Sequence, residues 1–87
     1  MGSDSKGLVM CLNIQSVLPH MDELRMNIKT INPDIICLSE TRTTEEIEDF
    51  EIRITDYNLI RVDSKNRHTG GVIIYIKKIL NIKLEKS

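Results

Sequence analysis

The 87-residue chain has few aromatic residues and no strong excess of charge of either sign. Tryptophan is absent, aromatic residues make up 3% of the chain, and the formal net charge is -1. No global electrostatic attraction to nucleic acid or to an anionic membrane is therefore expected. A chain this short forms at most one small domain with a thin core. Because 40% of the residues are hydrophobic, aliphatic packing must supply that core.

The chain also has few cysteines and no apolar run long enough to cross a membrane. Cys11 and Cys37 lie inside apolar segments and lack the CxxC or histidine-rich spacing of a zinc site. No secretory signal and no stretch of about 18 apolar residues is apparent. We therefore expect an intracellular protein without membrane contact, in the nucleus or the cytoplasm, whose cysteines act as small hydrophobes.

Apolar patterning in the first half predicts a strand, a helix and a second strand. Residues 7–15 and 34–40 are short apolar runs typical of strands, whereas residues 16–32 carry apolar side chains at helical spacing. Ser16 is the expected N-cap, Pro19 suits an early helical position, and Asn32 before Pro33 ends the helix. This order predicts a right-handed crossover between parallel strands that are both interior.

The second half predicts a hairpin and a further strand. Residues 43–50 are expected to hold a helical turn, because Thr43 and Glu46 have the spacing of a capping box. Strands are predicted at 57–63 and 71–78, around the polar turn 64–71, and an edge strand at 79–86. Residues 1–6 read as a disordered start or a cloning remnant, and residues 7–86 as one α/β domain.

Polar side chains end both strands of the predicted crossover. Parallel strands end at one edge of a sheet, where ligand sites gather, so Asn13 and Glu40 should meet there. A carboxylate and an amide suit Mg²⁺, whereas the alternative leaves Glu40 in water and Asn13 bonded to the turn. If both side chains face the same side, Cys11 shares it and Cys37 points away. A disulfide between the two cysteines is then not expected.

The order of these segments resembles the start of the endonuclease/exonuclease/phosphatase family, in particular the apurinic-like endonuclease domain of non-LTR retrotransposons. The resemblance rests on "CLNIQ", "NPDIICLSET" and "GGVIIYI" and extends from about Leu8 to about Leu84. It implies half of a two-sheet α/β sandwich. It places the family's active-site asparagine at Asn13 and its metal-binding glutamate at Glu40.

The resemblance also implies that this chain lacks most of the family's catalytic groups. Family members carry a tyrosine, an Asp-x-Asn motif and an Asp-His pair in a later part, and none of these groups is found in this chain after Leu84. Neither histidine of this chain, His20 or His68, lies at a matching position. Asn13 and Glu40 are therefore expected to be vestigial, with no resident cofactor beyond Mg²⁺ at a residual Glu40 site. We expect no enzyme activity.

The second sheet that the resemblance implies has no counterpart in this chain, so one face of the first sheet should be apolar and uncovered. Such faces mark interfaces. We expect a twofold homodimer that packs these faces together, or binding of another protein chain. The predicted interface residues are Val72, Ile74, Ile76, Leu80, Ile82 and Leu84.

A polar turn offers a second interaction surface. Arg61, Lys65, Arg67 and His68 lie within residues 61–71 and are candidates to grip nucleic-acid phosphates, although a hairpin turn of this kind is also often simply solvated. We thus expect a catalytically inactive, domesticated retrotransposon derivative that acts as a protein-interaction module. The alternatives are a residual Mg²⁺-dependent endonuclease or nucleic-acid binder that uses Asn13 and Glu40, and a piece of a longer enzyme.

Overall fold

The protein folds into one mixed sheet with helices on one side. A computed structural model describes residues 7–66 and 68–79. Its elements are β1 (Val9–Asn13), a 3-10 turn (Leu18–His20), α1 (Met21–Ile31), β2 (Ile35–Ser39), α2 (Asp49–Ile52), β3 (Tyr57–Val62) and β4 (Val72–Lys77). The strand order is β1-β2-β4-β3, with β1 and β2 parallel and the other neighbours antiparallel. The predicted α/β class, the parallel crossover and the hairpin are confirmed.

The core lies between α1 and one face of the sheet. Met21, Leu24 and Ile28 are the buried residues of α1, at the spacing of one helical face. They cluster with the buried strand residues Ile36, Leu38, Ile73 and Tyr75. Tyr75 is fully buried and its hydroxyl donates to the carbonyl of Ile52 at 2.6 Å, which links the sheet to α2.

The two ends of α1 differ in how well the sequence predicts them. Ser16 is not an N-cap, because it adopts φ 84° and the 3-10 turn begins only after Val17. Pro19 does lie in the first turn of that 3-10 segment. Asn32 ends the helix in a left-handed conformation, and its N–H donates to the carbonyl of Ile28 at 2.7 Å.

The predicted capping box lies at a different place in the chain. Thr43 is buried and bonds Thr41 instead of capping a helix. The box is formed by Glu48 and Glu51 at the start of α2, where Glu51 accepts from the Glu48 N–H at 3.0 Å. Thr43 with Glu46 and Glu48 with Glu51 have the same spacing. Thr43 does not form the capping box because it is buried in a loop.

β1 is an edge strand and not an interior one. It pairs only with β2 among the described residues, and four of its five positions are exposed. The prediction failed because the parallel crossover fixes which strand lies beside β1 but does not supply a neighbour on its other side.

Cys11 and Cys37 lie on the same face of the sheet, contrary to the expectation. β1 is in register with β2 so that Cys11 pairs with Cys37 and Asn13 pairs with Ser39. The expectation aligned Asn13 with Glu40, one residue further on. A one-residue slip moves every side chain to the other face.

The predicted last strand lies mostly outside the described residues. Leu80, Ile82 and Leu84 belong to that part, as do Arg67 and residues 1–6. Ile79, where the strand was expected to begin, is helical. Within residues 7–66 and 68–79, the chain forms no helix that has both the length and the apolarity to span a membrane.

Candidate functional site

The carboxyl ends of β1 and β2 bring Asn13 and Glu40 to the same edge of the sheet. Asn13 is the last residue of β1 and pairs with Ser39, which directly precedes Glu40. The chain leaving β1 then runs beside this segment, because the Ser16 N–H donates to the Glu40 carbonyl at 2.8 Å. Asn13 is exposed and Glu40 is half-buried.

The carboxylate of Glu40 is hydrogen-bonded to the protein backbone. Its Oε1 accepts a hydrogen bond from the Gly70 N–H at 3.2 Å, across 30 residues of chain. The bond ties the end of β2 to the loop that precedes β4. A backbone N–H thus offsets part of the hydration that this carboxylate loses.

The loop after β2 is held tightly against the glycine pair that precedes β4. The Thr41 and Arg42 N–H groups donate to the carbonyls of Gly71 and Gly70, at 3.2 and 2.9 Å. A Cβ on Gly71 would lie 2.5 Å from Thr41 Oγ1, and Gly71 has φ 91°. The positive φ of Gly70 and Gly71, which glycine adopts at little cost, lets the chain enter β4 in this tight space.

Left-handed backbone is concentrated at this edge. Gln15, Ser16, Glu40 and Arg42 are non-glycine residues with positive φ, and the two glycines lie beside them. The Arg42 Nε is buried here without a hydrogen-bond partner among the described residues. Strained backbone of this kind persists only where surrounding contacts impose it.

Asn13 and Glu40 alone do not supply enough ligands for a metal centre. Glu40 contributes one carboxylate, already bonded to Gly70, and Asn13 contributes one amide. In residues 7–66 and 68–79, no three His, Cys, Asp or Glu side chains come together at a spacing suited to a metal ion. A site with one carboxylate would depend on phosphate oxygens and water for most Mg²⁺ ligands.

Of the four residues of the predicted basic loop, the structure describes Arg61, Lys65 and His68. Arg61 is largely buried and donates to Asp49 and Asp63, each at 2.8 Å. Burial lowers the pKa of Arg61, but the hydrogen bonds to Asp63 and Asp49 outweigh it and raise that pKa. Lys65 and His68 are exposed. They line a hollow together with Glu45, Glu46 and Asp63, whose charge disfavours phosphate.

The second face of the sheet, which we call the open face, is uncovered by the described residues. Register places three cross-strand rows of residues on it, opposite to the face that carries α1. The rows are Val9-Ile35-Ile76-Asn58, Cys11-Cys37-Ile74-Ile60 and Asn13-Ser39-Val72-Val62. No residue of the open face is charged, and Val9, Ile60 and Val62 are 54%, 47% and 62% exposed. The predicted interface residues Val72, Ile74 and Ile76 all lie on it.

Two features of the site were not predicted from the sequence. The buried hydroxyls of Thr41 and Thr43 bond each other at 3.1 Å beneath the Glu40 loop, where the sequence shows only polar residues after a strand. The thiols of Cys11 and Cys37 lie side by side on the open face. Aligning the strands by their last apolar residues, Leu12 with Leu38, would have found the pair.

Three solved AP endonucleases share this fold. The catalytic domain of APE2 from Xenopus laevis matches with a TM-score of 0.66 and 24% identity, over 79% of this chain and 23% of that one. The AP endonuclease LMAP from Leishmania major matches with a TM-score of 0.69 and 18% identity, over 79% of this chain and 23% of that one. An AP endonuclease from Archaeoglobus fulgidus matches with a TM-score of 0.69 and 21% identity, over 82% of this chain and 27% of that one. No family model matches the sequence, and neither does any curated protein.

The fold is therefore that of part of an AP endonuclease α/β sandwich. The expectation that the chain folds as part of a two-sheet α/β sandwich is confirmed by these structures. The chain spans 23% to 27% of the length of the three enzymes, so their activity is a property of much longer proteins.

Proposed function

We propose that this chain is a protein-binding module on an endonuclease-like fold and that it binds a second copy of itself through the open face. The observation that carries the proposal is the composition of that face. Seven of its positions are valine or isoleucine and none is charged. The largest exposed apolar patch of a soluble protein, typically about 300 to 600 Å², is often a functional surface.

A second copy suits this face better than a charged partner does. A twofold contact places each residue near its symmetry mate, so like charges on the face would repel, and here there are none. Four strands at sheet spacing give a face of about 400 Å², or about 800 Å² in a dimer. This is below the standard size of a stable interface, so the dimer should be reversible.

The proposal assigns no catalysis to Asn13 and Glu40. Hydrolysis of a phosphodiester needs a general base and groups that position water, in addition to metal charge. Glu40 is bonded to the Gly70 backbone, and the two histidines, His20 and His68, are both exposed. The motifs around Asn13 and Glu40 support descent of a truncated, domesticated protein from a retrotransposon endonuclease.

A pair of matched substitutions tests the proposal. Ile60 is 47% exposed at the end of the middle row of the open face, whereas Met26 is 70% exposed on α1, away from that face. We expect Ile60→Lys to be monomeric by sedimentation velocity, while wild type and Met26→Lys sediment as dimers at the same concentration. Circular dichroism checks that both variants fold. Association of Ile60→Lys equal to that of wild type would refute the proposal.

A residual nuclease or nucleic-acid binder is the second candidate. It is favoured by the meeting of Asn13 and Glu40 at one edge, amid left-handed backbone that is typical of functional sites. The test is cleavage of abasic DNA with Mg²⁺, compared with Glu40→Gln, which keeps an acceptor for the Gly70 N–H. The module proposal predicts no difference between the two proteins, whereas cleavage by wild type alone would establish the second candidate.

A further inference from the structure

The middle row of the open face places two thiols next to each other. Cys11 in β1 and Cys37 in β2 are register partners on neighbouring parallel strands. Both are free; Cys11 is exposed and Cys37 half-buried. They border a shallow cavity of about 280 Å³ with Asn13, Ser39 and Val72.

The strand spacing suits a bond between the two sulfurs. Neighbouring strands lie about 4.7 to 4.9 Å apart, within the Cα separations of about 4.4 to 6.8 Å that disulfides span. Register pairing also puts both Cβ atoms on one side of the sheet. Closure would therefore need little movement of either strand.

The two thiols differ in exposure to solvent. Burial raises the pKa of Cys37, and the adjacent Cys11 thiol raises it further. A raised pKa lowers the thiolate fraction, and the thiolate is the attacking species. Because Cys11 is exposed, it is the first nucleophile, and Cys37 is the resolving thiol.

We propose that Cys11 and Cys37 form a dithiol site that reacts with low-molecular-weight disulfides of the glutathione class and closes to an intrachain disulfide. The Cys11 thiolate attacks one sulfur of the small disulfide, forms a mixed disulfide and expels one thiolate. The Cys37 thiolate then attacks the Cys11 sulfur, forms the Cys11–Cys37 bond and expels the second thiolate. The two cysteines lose two electrons and two protons, which leave with two molecules of reduced small thiol.

Closure would tie the edge strand to its neighbour. β1 pairs only with β2 among the described residues, and the disulfide would join them at the middle of their five-residue ladder. The bond would also lie in the middle row of the open face, toward its β1 edge. Disulfide formation and protein contacts would therefore involve the same surface.

The test is thiol trapping on the reduced 87-residue chain at low protein concentration. The chain is incubated with mixtures of oxidised and reduced glutathione, and the reaction is quenched with acid. Free thiols are alkylated with N-ethylmaleimide, and the mass of the intact chain is measured by mass spectrometry. We expect a single-chain species that lacks two hydrogens and takes up no alkylating reagent, at a rate independent of protein concentration. We expect Cys37→Ser to stop at a glutathione adduct on Cys11. Accumulation of that adduct in wild type, or a disulfide between two chains, would overturn the inference.

This inference does not rest on the proposed dimer. Closure is measured in dilute protein, whereas dimer formation can be measured on a Cys11→Ser, Cys37→Ser double variant that cannot form the bond. Failure of either result leaves the other standing.

Discussion

Gly71 is a residue at which close packing leaves no room for a side chain. A Cβ there would meet Thr41 Oγ1 at 2.5 Å and the Arg42 backbone nitrogen at 3.1 Å, whereas one on Gly70 would meet only Ser64 atoms, at 3.5 Å and beyond. Both glycines have positive φ, of 91° and 86°. A side chain at either position would strain the backbone, but only a side chain at Gly71 would also collide with neighbouring atoms.

We predict that Gly71→Ala destabilises the protein clearly more than Gly70→Ala does. The backbone cost of a side chain at positive φ is about 1 to 2 kcal/mol and applies to both variants. Only Gly71→Ala adds the collision with Thr41. Urea denaturation of both variants measures the difference, and equal losses of stability would show that the loop after β2 can move away.

We predict that the buried side chain of Tyr75 lowers the free energy of unfolding at alkaline pH. Burial raises the pKa of Tyr75 to about 12, partly offset by Arg25, whereas an unfolded tyrosine titrates near about 10. Between these values the unfolded chain has lost the proton that the folded chain keeps. The free energy of unfolding should then decrease with rising pH by up to about 1.4 kcal/mol per pH unit, and be unaffected below about pH 10.

The measurement is urea denaturation between pH 9 and pH 12, compared with Tyr75→Phe. The variant loses the bond to the Ile52 carbonyl, worth about 1 kcal/mol, at every pH. It should also show a shallower alkaline decline, because it lacks the shifted group. Burial also raises the pKa of Tyr57, so a smaller decline should remain. Parallel curves for the two proteins would contradict the account.

At the scale of elements, the end of α1 depends on a left-handed residue. Asn32 has φ 56° and ψ 51° and its N–H bonds the Ile28 carbonyl. Asparagine tolerates this conformation, glycine adopts it freely, and a β-branched residue does not. The residue at this cap, more than the helix interior, controls where α1 stops.

We predict that Asn32→Val costs about 1 to 2 kcal/mol and that Asn32→Gly is neutral or stabilising. The matched control is Asn27→Val at an exposed site inside α1, which should cost only about a few tenths of a kcal/mol. Thermal unfolding of the three variants gives the order. A similar loss for both valine variants would mean that the cap conformation is unimportant.

Sequence patterns predicted elements well where burial was periodic. The α1 spacing of Met21, Leu24 and Ile28 and the apolar runs of β2 and β4 specify the elements and the hairpin. Cap positions failed at Ser16 and Thr43, because residues with capping chemistry also serve turns and buried loops. Strand register was out by one residue, since apolar runs set where strands lie but not how two of them align.

The candidate site was predictable in part. Placing Asn13 and Glu40 at one sheet edge needed only the parallel crossover. The bond from Gly70 to Glu40 and the ion pair of Arg61 with Asp49 were not predictable, because they join segments distant in the chain. Such contacts depend on loop conformation, which local pattern does not encode.

At the scale of the whole molecule, our proposal concerns the open face of the sheet. One side of the sheet is covered by α1 and the loops, and the other presents uncharged rows of valine, isoleucine and cysteine. None of the described residues covers this face, and exposed apolar faces often mark interfaces. The proposed reversible dimer would bury the open faces of both copies and would form a closed assembly.

The most direct test of this account is the solution mass of the reduced wild-type chain, measured by light scattering across a dilution series. We predict the mass of a dimer at high concentration and a reversible fall to the mass of a monomer on dilution, as the small contact area requires. A monomer at every concentration would contradict the central claim that the open face binds a second copy.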